Sequence, residues 1–374
     1  MPNPFIKTKF AIILFFFSLF FLTGCAFKDI DKSVFVAMIA IDKSDEEDKP
    51  YKITLKLYEP TGSFKEATQP GYSYLTQTGE TLSEAIRILQ SYSDKELEFG
   101  HSKLIIIGEE LLKEDRSKEI LDFLLRRPDI QMISWIAVGK PSAEEVIKII
   151  PQGETVAYPE LFNYFDHNGT TSQYIVTTYL FDFRRNMEER GIDTVVPIIK
   201  VSEEGKHFEI NKSLVLADKK EPFELDYLNT AIFNMLTEET KHADFLIKRD
   251  DEHFIARIDT IKPDYKVNIK KSENIELELK VGLYGYISES KKPLLNRDLP
   301  KYNKLLKEEG EEIITEFITK MIEEGYDPLG FGIDYKGKVL HNRRMSDTEW
   351  EEAYKNAQIK VTVAPGLKST GTIQ

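Results

Sequence analysis

Between Val34 and Ile150 the spacing of apolar residues switches repeatedly between two periods, and this alternation limits the fold more than any other feature of the chain. Val34 to Ile41 is an unbroken apolar run, as in a strand covered on both faces. Asp42 to Pro50 is acidic and turn-like. Tyr51 to Tyr58 then alternates Ile53, Leu55 and Leu57 with Lys52, Thr54 and Lys56, the pattern of a half-buried strand. Residues 59–79, rich in Gly, Thr, Ser and Tyr, read as loop. Thr81 and Glu84 fit a capping box ahead of Leu82, Ala85, Ile86 and Leu89, which share one helical face. Leu104 to Ile107 reads as a short buried strand, and a helix with Ile120, Phe123 and Leu124 stops before Pro128. Ile130 to Val138 reads as another strand. Ser142 and Glu145 cap a helix carrying Val146, Ile149 and Ile150, closed by Pro151-Gln152-Gly153. Strands alternating with helices predict an α/β (mixed α+β) fold with a mixed or parallel sheet.

The second half reads differently. Helices over 154–166 and 172–190 lead to a strand at Thr194 to Val201, and the polar segment Ser202 to His207 is the expected domain boundary. This gives an N-terminal region over 25–201 made of two α/β subdomains, a C-terminal domain over 208–368, and a tail over 369–374. Ser213 to Ala217, a helix over 224–238 and strands over 244–249 and 253–260 follow. Ile275, Leu277, Leu279, Val281 and Leu283 then alternate with Glu276, Glu278 and Lys280 in an unusually long strand, suited to a broad curved sheet with one wet face. Ile313, Ile314, Phe317, Ile318 and Met321 form a helical stripe within 301–324, and Ile359, Val361 and Val363 close the chain as a strand.

The N-terminus is of another kind. Residues 1–24 hold Lys7 and Lys9, no carboxylate, and an apolar stretch from Phe10 to Leu22 broken only by Ser18. A helix of that length rises roughly 20 Å, short of the hydrocarbon core of a bilayer, so a signal-peptide segment fits better than a stable span. It ends in Leu22-Thr23-Gly24-Cys25, which resembles the bacterial lipobox, cleaved between Gly24 and Cys25. The resemblance implies an S-diacylglycerol and an N-acyl chain on Cys25. Two or three acyl chains make a stable anchor, since each buried methylene contributes about 0.8 kcal/mol. The body is then tethered outside the cytoplasmic membrane, away from cytosolic nucleotides.

Composition and motif spacing exclude several chemistries. Of 374 residues, 50 are Lys or Arg and 63 Asp or Glu, a net charge of −13 that is poorly suited to nucleic acid. One cysteine removes intramolecular disulfides, cysteine-based zinc sites and iron–sulfur clusters. The six histidines lack the spacing of a metal clip on a helix or hairpin. There is no G-x-S-x-G elbow and no phosphate-binding loop. Gly330-Phe331-Gly332 lacks the third glycine of a dinucleotide fingerprint, opens no apparent helix and reads as a turn. Ser288 and Lys291 match a bare S-x-x-K pattern after a strand, where a solvated loop is the simpler reading. Carboxylate pairs such as Glu109-Glu110 and Glu323-Glu324 do not face each other on a helix. Aromatic residues from Tyr158 to Phe183 suit core packing more than a ligand groove. Arg126-Arg127 and Arg184-Arg185 suit helix ends or solvated faces, with anionic lipid heads as a further reading.

Several segments together resemble one family: Leu22-Thr23-Gly24-Cys25, the run from Val34 to Asp42, Gly100 to Leu111, and Leu121 to Ile130. Later come Gly191-Ile192-Asp193, a helix with Glu311 to Ile318, Asp327-Pro328-Leu329-Gly330-Phe331-Gly332, and a tryptophan helix around Trp350. The whole chain looks like the C subunits of GerA-type nutrient germinant receptors of endospore-forming bacteria. The resemblance implies a lipoprotein of three α/β domains on the outer face of the spore's inner membrane. It also implies assembly with two integral membrane subunits, A-type and B-type, with no enzymatic activity and no cofactor beyond the lipid on Cys25. The alternative is a solute-binding lipoprotein that hands a small ligand to a transporter. A cell-envelope hydrolase would need an activated nucleophile or paired carboxylates that the sequence does not assemble.

Overall fold

A computed structural model describes residues 32–58, 71–114, 116–151, 159–166, 172–237, 242–270, 275–339 and 347–371. The signal segment and lipobox, the expected helix start at 154–158, Tyr158, and residues 372–374 of the tail lie outside the described residues.

The first half carries β1 (Ser33–Lys43), β2 (Tyr51–Tyr58), β3 (Tyr72–Gly79), α1 (Leu82–Gln90), β4 (Glu96–Glu98), β5 (Leu104–Gly108), α2 (Glu109–Lys113) and α3 (Ser117–Leu125). It continues through β6 (Trp135–Lys140), α4 (Ala143–Lys148), α5 (Glu160–Phe165), α6 (Leu180–Glu188), β7 (Thr194–Val201), β8 (Phe208–Leu216) and β9 (Phe223–Leu225). The strands form one nine-stranded mixed sheet in the order β3-β2-β1-β5-β6-β7-β8-β9, with β4 beside the start of β1. β1, β5, β6 and β7 run parallel, and hairpin-like antiparallel pairs extend both edges. α1, α2, α3 and α6 cover one face, and α4 with α5 the other. That double coverage explains why β1 and β5 read as unbroken apolar runs. The caps stand where the sequence places them. Thr81 Oγ1 accepts from the Glu84 N–H at 3.1 Å, and Ser142 Oγ accepts from the Glu145 N–H at 3.1 Å.

The second half carries α7 (Tyr227–Leu236), β10 (Ala243–Arg249), β11 (Glu252–Ile269), β12 (Ile275–Ser290), α8 (Leu299–Glu324), α9 (Phe331–Lys338), α10 (Asp347–Lys355) and β13 (Gln358–Leu367). Its four-stranded sheet runs β10-β11-β12-β13, antiparallel except for the β12–β13 pair. One face packs on α7, α8, α9 and α10, and this core also takes in Val195, Val215 and Leu225 of the first sheet. The opposite face is wet, as the alternation in β12 predicts: Glu278 meets Lys266 at 3.2 Å, Lys280 at 3.4 Å and Lys360 at 3.5 Å there.

Four sequence expectations differ from the structure. The loop expected over 59–79 contains an edge strand, β3, whose Tyr- and Thr-rich pattern has strand propensity without a clear apolar alternation. The strand expected from Ile130 begins at Trp135, after turns at 128–134. The helix expected over 172–190 begins at Leu180. Gly330 opens a helix rather than a simple turn, since α9 starts at Phe331. At the expected domain boundary, Ser202 to His207 forms the turn of the β7–β8 hairpin, with Gly205 at φ 66° and Ser202 Oγ accepting from the Lys206 and His207 N–H groups. A polar turn inside a sheet and a linker share the same composition.

Candidate functional site at the junction of the two sheets

Two of the sequence segments singled out above, far apart in the chain, meet at one point. Gly191-Ile192-Asp193 leads into β7, and Asp327 to Gly332 links α8 to α9. α8 ends in Gly325, whose φ of 77° is the left-handed cap that glycine favours, and Gly330 repeats this at φ 73° before α9. Gly191, at φ 89°, lies against Gly332 so closely that a Cβ on Gly191 would sit 2.6 Å from the Gly332 carbonyl carbon. A Cβ on Gly332 would sit 2.8 Å from Trp350 Cε2 on α10. Backbone touches backbone here, and the indole closes the third side.

The carboxylates of the two segments complete the joint. The Asp193 N–H donates to the Asp327 carbonyl at 2.9 Å, and the Asp327 N–H donates to Asp193 Oδ2 at 2.6 Å. The Asp327 side chain is buried and accepts from the Phe331 N–H at 3.0 Å and the Gly332 N–H at 2.8 Å, which holds the first turn of α9. Tyr354 of α10 donates its hydroxyl to the Tyr326 carbonyl at 3.0 Å, and the Tyr326 hydroxyl donates to the Glu221 carbonyl. Lys220, just beyond β8, donates to the Gly325 carbonyl at 2.7 Å and lies 3.5 Å from Glu351.

Burial dominates the electrostatics. It pushes the Asp327 carboxyl up to about 8, with the Asp193 charge adding to the shift and the Gly332 and Phe331 N–H groups opposing it. Burial also pushes Asp193 up to about 6, against the Asp327 N–H and Lys220. The pair therefore holds a proton into the neutral range. Above it opens a cleft of about 1110 Å³ lined from both halves, including Asp122, Arg190, Lys220, Glu324 and Glu351.

A second carboxylate clamp lies in the first sheet. Asp42, at the end of the Val34 to Asp42 run, accepts from the Ala143 and Glu144 N–H groups at 2.7 Å each and so caps α4 from β1. Gly108 on β5 leaves the room this needs, because a Cβ there would collide with Asp42 Oδ1.

Leu22, Thr23, Gly24 and Cys25, the sites read from sequence, lie outside the described residues. Among the described residues, no three His, Cys, Asp or Glu side chains gather to hold a metal ion. Nor is any helix there long and apolar enough to cross a membrane. Ser288 stands exposed near the end of β12, its hydroxyl directed to the Ile255 carbonyl. Phe162, Phe165 and Phe183 are buried, and Trp135 packs on the first two. Sequence reasoning missed the Asp193–Asp327 pair and the Asp42 cap. One signal was available: Asp327 stands four and five residues ahead of the N–H groups that open α9, beside a Gly-Phe-Gly run that permits close approach.

Comparison with known proteins matches nearly all of the described body. Residues 27–201 match the family model described as spore germination protein N-terminal domain, and residues 212–371 match spore germination B3/GerAC-like, C-terminal. The chain belongs to the GerAC family of spore germination proteins. The GerAC-type fold follows: the crystal structure of the GerBC protein aligns with a TM-score of 0.56 at 14% identity, covering 88% of this chain and 96% of that one. Spore germination protein GerQC of Bacillus cereus is 24% identical over 97% of this chain and 99% of its own length. Spore germination protein KC of Bacillus subtilis (strain 168) is 23% identical over 91% and 90%. Membership places the chain in the C-subunit family of spore germination receptors.

Proposed function

We propose that this GerAC-family chain is a lipid-anchored, non-enzymatic subunit of a nutrient germinant receptor on the outer face of the spore's inner membrane. Cys25 carries the lipid, and the folded body supplies surface for two integral membrane subunits. The observation that carries this reading is the position of Leu22-Thr23-Gly24-Cys25: it closes an apolar leader and ends two residues before the family match begins at 27. A lipid at that point leaves the entire matched body outside the bilayer. The test is Cys25→Ala in spores, read by membrane fractionation and by nutrient-triggered loss of refractility, beside a trigger that bypasses nutrient receptors. The expected result is release from the membrane and loss of one nutrient response while the bypass survives. Unchanged attachment and germination would overturn the reading.

The cleft beside Asp193 gives the solute-binding alternative one structural footing. Saturable binding of a single nutrient by the purified protein, lost on Lys220→Ala, would favour that alternative.

A further inference from the structure

β13 is the last strand of the second sheet, and an edge strand presents its outward backbone groups to whatever lies beyond it. Its even-numbered positions face β12, a register that continues to Lys368, whose N–H donates to the Gly285 carbonyl at 2.8 Å. The odd-numbered N–H groups therefore point away. α8 already occupies two of them: Val363 donates to Glu311 Oε1 at 3.1 Å and Leu367 to Asn303 Oδ1 at 2.8 Å. Pro365 has no N–H. Ile359 and Val361 remain, with N–H groups that no described residue accepts. The helix guards the edge from Val363 onward and leaves it open at 359–361.

Beside the open stretch a shallow groove of about 980 Å³ runs between β13 and the flank of α8. Its charge is one-sided: Glu311, Glu312, Glu316, Glu323 and Glu324 stand against Lys320 and Lys360. Lys307 offsets Glu311, Arg249 pairs with Glu312, and Lys360 reaches Glu278 on the wet face. Glu316, Glu323 and Glu324 make no ion pair among the described residues.

We propose that β13 at 359–361 accepts an extended segment of a partner protein as an added strand, and that this segment carries Lys or Arg at alternate positions facing α8. Strand addition satisfies the outward backbone groups of Ile359 and Val361, while alternate side chains of the incoming strand point to one face, here the carboxylate flank. A second copy of this chain is a poor occupant, because pairing two β13 edges brings two acidic flanks together. The proposal stands independently of the lipid on Cys25.

The test uses the full-length protein in detergent with the peptide fluoresceinyl-Gly-Gly-Lys-Val-Lys-Val-Lys-Val-Lys-amide, followed by fluorescence anisotropy and by amide hydrogen exchange resolved to Ile359 and Val361. Binding that slows exchange at both amides is expected, weakened at least tenfold by Val361→Pro and by the double variant Glu316→Lys, Glu323→Lys. Val361→Pro removes an outward N–H and trims the packing of Val361 on the core, while the even-numbered ladder to β12 keeps its donors. If that variant fails to fold, the charge-reversed one and the exchange readout still decide. Binding without slowed exchange would mean diffuse attraction to an acidic chain and would overturn the proposal. So would no binding, or slowing that depends on protein concentration without peptide, which would assign the edge to a second copy.

Discussion

Asp193 and Asp327 hold each other reciprocally: the Asp193 N–H reaches the Asp327 carbonyl at 2.9 Å, and the Asp327 N–H reaches the Asp193 carboxylate at 2.6 Å. These contacts join the entry to β7 in the first sheet to the link between α8 and α9 over the second. The joint is polar and buried, so its strength depends on protonation in a way an apolar joint would not.

The protonation sign follows from the upward shifts. Burial raises both carboxyls, Asp193 to about 6 and Asp327 to about 8, so in that range the folded chain holds protons that the unfolded chain has already released. Stability is then greatest near the unfolded carboxyl range and falls as pH rises toward 8, by at most about 1.4 kcal/mol per pH unit for each extra proton held. Thermal midpoints measured from pH 5 to 8.5 should fall, and Asp327→Asn, which resembles the protonated acid, should flatten the decline. An equally steep decline in the variant would remove the pair as its source.

Gly191 and Gly332 meet backbone to backbone, so either glycine replaced by alanine pushes the two segments apart. Gly191→Ala also meets the left-handed backbone cost of about 1–2 kcal/mol at φ 89°. Urea unfolding should show both variants destabilised, Gly191→Ala by at least that amount. Gly337→Ala, where an added Cβ meets nothing within 4 Å, should be neutral or mildly stabilising.

Much of this architecture is legible in the sequence, and what is not has a physical reason. β1, β5 and the alternating β12 announce themselves because burial on two faces or one writes a period directly into the residues. Thr81 and Ser142 are visible as caps because their hydrogen bonds close within three residues. β3 escaped, since an edge strand needs little apolar alternation. The Asp42 cap escaped because its partner N–H groups stand 101 and 102 residues away, across a parallel crossover that no local window sees. Asp193 and Asp327 are 134 residues apart. Their pairing is a property of how the two sheets dock.

Asp42 offers the direct check of such a long-range cap. Asp42→Ala leaves the Ala143 and Glu144 N–H groups at a mostly buried helix start without their acceptor, and losing a cap of this kind costs about 0.5–2 kcal/mol. Asp42→Asn, with one acceptor oxygen, should fall between the wild type and alanine. Denaturant midpoints order the three; equal loss for both variants would mean that the charge matters more than the acceptor geometry.

Glu278 works in the opposite direction from the buried pair. The hydrogen bond from Asn268, then that from Lys266, lowers its carboxyl to about 2, with Lys280 adding to the shift. The folded chain therefore releases this proton more readily than the unfolded chain does. Its contribution is present above the ordinary glutamate range and is lost as pH falls from about 4.5 toward 2. Glu278→Gln should lower the thermal midpoint at pH 6 and leave it close to wild type near pH 2.5, with the difference closing through that interval. Salt should narrow the gap at pH 6, since the partner lysines stand on an exposed sheet face. A constant difference across the interval would assign the loss to packing in place of charge. The two effects occupy different windows: protonating Glu278 loosens the sheet below about 4.5, and deprotonating Asp193 and Asp327 loosens the junction above it.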